Sequence, residues 1–255
     1  WVAPQDPYDI KSLDIMDAQQ PPGSRSLLGG AIFLLGTDSL GRDLGSAILY
    51  GLQTSFVVGA GATAIAVCIG TSLGLLAGWR RGWIDTVIMR LADLQLALPA
   101  ILVALVLISI LGPGRSNVMI ALVLVQWAVY ARTVRNLVLS ESNRDYVLAA
   151  KGLGLSPTWV ALRHVLPNCT SPVIVVATVA VGGAIMLEAT LSFLGVGLPI
   201  SQPSLGLLIA NGFSYLMSGA YWISVFPGVA LMLSILSINL VGDRLREILD
   251  TRRTT

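Results

Sequence analysis

The residues able to do chemistry are few and scattered. Glu188 is the one acidic side chain deep inside a long apolar run. A carboxylate there must be neutral, paired or facing a wet cavity. Two readings stand: a group on a solute pathway or gate, or an inward-facing carboxylate hydrogen-bonded to a neighbouring helix. His164 is the single histidine, and one imidazole cannot supply the three or four ligands a metal site needs. Neither a metal site nor a catalytic set is expected, because a membrane hydrolase would need a nucleophile with a base, or a metal cluster. Cys68 and Cys169 lie too far apart in the expected topology for a bridge and read as small apolar filler. Gly59-Ala60-Gly61-Ala62-Thr63-Ala64 fits a dinucleotide-loop pattern in letters only, with no strand before it and no acidic partner after it, and no G-x-x-x-x-G-K-[ST] motif occurs. Arg90 and Asp93, three apart, are expected to pair on one helix face.

The elements that must position these groups follow from the charge pattern. Of 255 residues, 55% are hydrophobic and only 12% charged, and residues 44–79, 94–114, 164–187 and 189–242 contain no Asp, Glu, Lys or Arg. That is too little charge for a soluble domain, and it leaves no basic surface for nucleic acid. The chain reads as an all-α polytopic membrane protein in a lipid bilayer. Barrel strands would alternate in short segments, whereas these runs are continuously apolar. With about 20 apolar residues per crossing, five spans are expected: 54–78, 84–111, 117–139, 172–194 and 221–241. The last run is divided by Gly-Leu-Pro-Ile-Ser-Gln-Pro-Ser at 197–204. Pro99 should kink the second span, which makes it a hinge candidate. Ala62, Ala66, Gly70, Gly74 and Gly78 form a row of small residues that lets another helix approach closely.

Segments kept in the cytoplasm carry excess Lys and Arg. With the C-terminus inside, 12 basic residues fall on the cytoplasmic side against 4 (Lys11, Arg25, Arg42, Arg115), out of 16. Residues 1–53 are then extracytoplasmic. Residues 4–30 read as a loop with little regular structure, and a helix flat on the outer surface is expected from Thr37-Asp38-Ser39, with Leu40, Leu44, Ala47 and Ile48 as its apolar stripe. Direct continuation into the first span is the alternative. Residues 54–241 are the membrane domain and 242–255 a cytoplasmic tail. A sixth helix is expected upstream, since the sequence starts at Trp1 and residues 1–53 have to be delivered across the membrane.

The loop at 140–171 is long, polar and punctuated like two short helices, and loops of this length are usually functional. The first is expected from Asn143 to Leu153, closing at Gly152 or Gly154. The second starts with Ser156 as cap and Pro157 at the first helical position, and ends before Pro167-Asn168; Ser171-Pro172 repeats the start signal for the next span.

Tyr146-Val147-Leu148-Ala149-Ala150-Lys151-Gly152-Leu153-Gly154, followed nine residues later by His164-Val165-Leu166-Pro167-Asn168, resembles the EAA loop of binding-protein-dependent ABC importer permeases. Leu148 stands where the motif has its name-giving Glu. Leu35 to Asp43, Met89-Arg90 through Asp93 to Pro99, Leu187-Glu188-Ala189 with Ser192-Phe193-Leu194-Gly195, and Asn239-Leu240 with Gly242-Asp243 resemble the dipeptide, oligopeptide and nickel branch of that family. The resemblance implies a type I importer permease of the bacterial inner membrane, multi-pass, that carries di- or oligopeptides; nickel or another small solute is the alternative. It implies as partners a second permease subunit, two cytoplasmic ATPase subunits that hold the ATP and Mg, and an extracytoplasmic substrate-binding protein. It also implies that Ala149, Ala150, Lys151, Gly154, Leu166 and Pro167 couple the chain to the ATPase. Two alanines and a glycine leave little bulk on the docking face, and Arg144 and Lys151 could meet acidic rim groups. A passive channel would have no use for a long capped loop of this kind.

Overall fold

A computed structural model of the chain describes residues 15–26, 32–199 and 202–251. Lys11, Arg252, Arg253, the outer parts of the 4–30 loop, Ile200-Ser201 in the dividing stretch and the upstream helix lie outside the described residues. A 3-10 turn at Ile15–Asp17 precedes β1 (Ser24–Arg25) and β2 (Ile32–Phe33), a two-residue antiparallel ladder pairing Ser24 with Phe33 and Arg25 with Ile32. The remaining elements are helical: α1 (Leu44–Arg80), α2 (Gly82–Ala97), α3 (Ala100–Leu111), α4 (Arg115–Glu141), α5 (Asp145–Gly152), α6 (Pro157–Val160), a π-helical turn (Ala161–Val165), α7 (Leu166–Phe193), α8 (Leu205–Phe213), a 3-10 turn (Leu216–Ser218) and α9 (Trp222–Thr251). Among the described residues four helices are long and apolar enough to cross a membrane, and α2 with α3, bent by 95°, makes five if that pair is one span.

Three boundaries correct the sequence reading. The separate surface helix over 37–53 is absent, because α1 runs unbroken from Leu44 to Arg80. Asp38 does not cap a helix; its Oδ1 accepts the N–H groups of Leu40 (2.8 Å) and Arg42 (2.9 Å) in a turn. The cap is Asp43, whose Oδ2 accepts both the N–H (2.8 Å) and the hydroxyl (2.6 Å) of Ser46, as an aspartate at that position does. Next, Pro99 produces a break and not a kink. Leu98 is extended, with φ −96° and ψ 141°, the conformation a following proline imposes, and the helix restarts with Leu102 and Val103 donating to Pro99 O. Lastly, Pro167 and Pro172 stop nothing. The helix from Pro157 continues through the π-turn to Phe193. Within that turn Leu166 N–H donates to Ala161 O, five residues back, and such local π adjustments let helices absorb prolines.

The chain divides into two compact units: residues up to 60 with 105–119 and 182–237, and residues 61–104 with 120–181 and from 238 onward. In the first, Leu44, Ala47, Ile48, Leu205 and Leu208 are buried together, with Leu35, Leu52, Trp222 and Phe226 around them. So the apolar stripe read before residue 54 is real, except that Leu40 is exposed. The Leu35–Asp43 turn is held by Thr37: its hydroxyl donates to Asp17 O (2.5 Å), and its carbonyl accepts Trp222 Nε1–H (3.3 Å).

In the second unit the small-residue row does what its spacing suggests. Ala62 and Ala66 are fully buried. A Cβ on Gly70 would lie 2.5 Å from Tyr130 Cβ and 2.6 Å from Trp127 O, and one on Gly74 would lie 2.5 Å from Ala131 O. The α4 backbone therefore approaches α1 to a distance only glycine permits. Asp85 of α2 takes two hydrogen bonds from the Arg135 guanidinium of α4, both 2.6 Å. Asp93 pairs with Arg132 of α4. This replaces the expected Arg90–Asp93 pair: a partner on another helix meets the carboxylate more directly than one a turn away along the same surface.

Candidate functional site

The 140–171 loop folds back on its own unit. In α5, Val147 and Ala150 face inward and join Val134, Val138, Val160, Val165, Cys169 and Val173, with Val67, Leu75 and Trp79 packed against them. The cluster draws on α1, α4, α5, α6 and α7. Each buried side chain of this size contributes about 1.5–3 kcal/mol on leaving water, so the loop is fixed on these helices and is not a free tether.

Only one end of α5 is capped. Its start follows Arg144, which is extended and gives no side-chain cap; the expected Asn143 cap is instead turned to Leu139 O (3.2 Å). At the other end Gly154 N–H donates to Lys151 O (3.0 Å) and Leu155 N–H to Ala150 O (3.3 Å). Gly154 has φ +76°, which completes a Schellman motif with glycine at the left-handed position. Ser156 then caps α6 by accepting Trp159 N–H at 3.3 Å, with Pro157 in the first turn. Tyr146 OH donates to Glu141 Oε2 (2.8 Å) and accepts Asn168 Nδ2–H (2.9 Å), joining the end of α4, α5 and α7. Burial, then the bond to Glu141, pushes the Tyr146 phenol above its ordinary value.

The candidate coupling residues do not share one face. Ala149 is exposed and Ala150 is buried, adjacent positions being about 100° apart on a helix; the two alanines therefore do not lie together on one outward face. Gly154 and Pro167 are exposed and Leu166 is half-buried. Lys151 lies with its ammonium 4.8 Å from the centre of the Trp79 ring, and Arg144 is 3.9 Å from Glu141. His164 packs its ring edge-on against Trp159, at 4.9 Å between centroids, and against Tyr146, at 6.5 Å. Sequence reasoning missed the apolar side chains that stand outward: Leu148 (52% exposed), Leu153 (81%), Trp159 (46%) and Leu162 (54%). The signal was available, because apolar residues on a short helix whose inward positions are already taken by Val147 and Ala150 must point away from the core.

Glu188 is fully buried in the other unit, where Ser55, Ser192 and Ser204 donate to it. It is thus an inward-facing, hydrogen-bonded carboxylate. Pro99 stands exposed at the break between α2 and α3.

Residues 70–255 match the family of binding-protein-dependent transport system inner membrane components. Over 252 residues the chain is 42% identical to the di/tripeptide transport system permease protein DppC of Pseudomonas aeruginosa, covering 99% of this chain and 82% of that one. It is 38% identical to the dipeptide transport system permease protein DppC of Alkalihalophilus pseudofirmus over 92% of this chain and 77% of that one. Among solved structures it is similar in fold to a chain of the MetNI methionine ABC transporter in an inward-facing conformation. There the TM-score is 0.63 at 18% identity, with 80% of this chain and 96% of that chain covered.

Proposed function

Because the chain belongs to the family of binding-protein-dependent transport system inner membrane components, a family of multi-pass transport permeases, we propose that it is the permease subunit of an ATP-driven importer that carries di- or oligopeptides into the bacterial cell. Peptides are favoured over nickel because the similar chains are named for di- and tripeptides. The observation that carries the importer reading is the α5–α6 segment: a short loop, closed at Gly154 and capped at Ser156, seated on three spanning helices by Val147, Ala150, Val160 and Val165, with apolar side chains turned outward, in a chain without a nucleotide-binding motif.

In this proposal that segment lies on the cytosolic face, with the C-terminus on the same side. Ala149, Leu148, Leu153, Gly154 and Trp159 meet one of two ATPase subunits, which hold the ATP and Mg. Because α5 is packed on α1, α4 and α7, displacement of the docked loop moves those helices as a body, a switch between two packings. Leu98-Pro99, where the helix is already interrupted, is the hinge. A second permease chain completes the pathway, and an extracytoplasmic binding protein delivers the solute. No catalytic step is assigned to this chain.

The test is uptake by the complex that co-purifies with this chain, reconstituted in proteoliposomes with labelled alanyl-alanine inside a competition series. ATP-dependent accumulation is expected. Accumulation of nickel in place of peptide would move the solute to the alternative, and co-purification of no ATPase would remove the importer reading.

A further inference from the structure

Glu188 takes hydrogen bonds from three separate stretches of chain. Ser55 of α1 donates its hydroxyl to Oε2 at 2.7 Å, and Ser192 of α7 and Ser204, just before α8, donate to Oε1 at 2.8 Å each. Ser192 Oγ also accepts Leu198 N–H at 3.3 Å, so the same carboxylate holds the turn that leaves α7. All of these groups are within one compact unit, and Glu188, Ser55, Ser192 and Ser204 are each 1% exposed or less.

The geometry around Ser204 distinguishes a tether from ordinary core filling. Ser204 occupies the N-cap position of α8, yet its side chain makes no cap hydrogen bond; the hydroxyl is turned to Glu188 instead. A serine hydroxyl at this position ordinarily accepts a backbone N–H of the first turn and stabilises its helix, so α8 forgoes local stabilisation for a long-range bond. With nine residues, α8 is too short to be stable by itself and depends on what it is tied to. The contacts beside the tether are made close by glycine. Gly206 lies directly against the Ala189 backbone, and a Cβ on Gly51 would lie 3.2 Å from Leu205.

We propose that Glu188 is a positioning residue for transport, which ties α8 to α1 and α7 so that the three shift as one body when the pathway changes state. The inference rests on the permease reading above. Hydroxyls gathered on a single buried acceptor have no water to turn to when it is removed, so loss of the carboxyl group frees the short helix first.

The experiment compares complexes containing the wild-type chain, Glu188→Leu and Glu188→Gln, each purified with the subunits that accompany it and reconstituted with labelled alanyl-alanine. Leucine nearly preserves volume but leaves three donors without an acceptor. Glutamine keeps a carbonyl oxygen for Ser192 and Ser204 and offers an amide N–H to Ser55, whose hydroxyl can accept. Glu188→Leu is expected to lower peptide imported per ATP hydrolysed about tenfold and to speed amide hydrogen exchange over residues 208–213 about tenfold, with Glu188→Gln within about twofold of wild type on both. Wild-type behaviour of Glu188→Leu on both readouts overturns the proposal, and so does a loss in Glu188→Gln equal to that in Glu188→Leu. If Glu188→Leu does not assemble, Ser204→Ala removes one bond only; about threefold faster exchange supports the tether and no change overturns it. Exchange is read without solute. A wild-type complex that imports no peptide while exchange behaves as expected therefore defeats the functional reading and leaves the tether standing.

Discussion

The Lys151 ammonium sits 4.8 Å from the centre of the Trp79 ring, so the last turn of α5 is bound to the last turn of α1. A cation over an indole face contributes about 0.5–2 kcal/mol depending on desolvation, and Trp79 also packs against the valine cluster beneath. Trp79→Leu should lower peptide imported per ATP hydrolysed about three- to tenfold, and Lys151→Met, which keeps the stem, about twofold. Proteoliposome uptake against phosphate release measures both; unchanged ratios in both variants would take this contact out of the route from the loop to the spans.

Gly154 is the left-handed residue of the α5 closure, and no atom lies within 4 Å of where its Cβ would be. Substitution there is thus a backbone effect plus whatever the docking partner meets. Gly154→Leu should cost about 1 kcal/mol of local stability, leave the protein inserted, and uncouple ATP hydrolysis from uptake. Gly154→Asn, which tolerates the left-handed region, should retain more coupling. Normal uptake with Gly154→Leu would count against docking at this end of α5.

The bidentate pair of Asp85 and Arg135, both bonds 2.6 Å, ties α2 to α4. Asp85→Ala and Arg135→Ala should each lower the thermal midpoint of the detergent-purified complex, and a double-mutant cycle should give about 0.5–3 kcal/mol of coupling. A coupling energy near zero would show that the two side chains merely lie together.

Gly74 admits no side chain, since its Cβ would meet Ala131 O at 2.5 Å and Val134 Cβ at 2.8 Å. Gly74→Val should therefore separate α1 from α4 at a cost of at least about 1–3 kcal/mol and reduce the amount of folded protein in membranes, whereas Gly152→Ala, with open space around it, should not. Equal yields of the two would refute the close approach.

The apolar runs, the small-residue row and two of the loop's signals were legible because each depends on local pattern: Ser156-Pro157 opens α6, and Gly154 closes α5, whereas the expected Asn143 cap is not formed. What sequence could not give were relationships settled by distant packing. Asp93 had an obvious neighbour in Arg90, but the fold brings Arg132 nearer. Ala149 and Ala150 looked alike until the valine cluster claimed one of them. Three serines far apart in sequence gave no sign of converging on Glu188. Prolines misled twice in opposite directions. Pro99 breaks its helix outright, while Pro167 and Pro172 are carried through theirs, because the outcome depends on whether neighbouring backbone can re-pair.

The π-turn at Ala161–Val165 amounts to one surplus residue wound into an otherwise regular rod. Removing Arg163 would let that turn relax to ordinary helix and leave everything after it in place. Removing Ala180, in regular helix, would spin the remainder of α7 by about 100° and swing Glu188 away from Ser55 and Ser204. The chain thus has one site in this helix where its length can change by a residue without changing which way the rest faces.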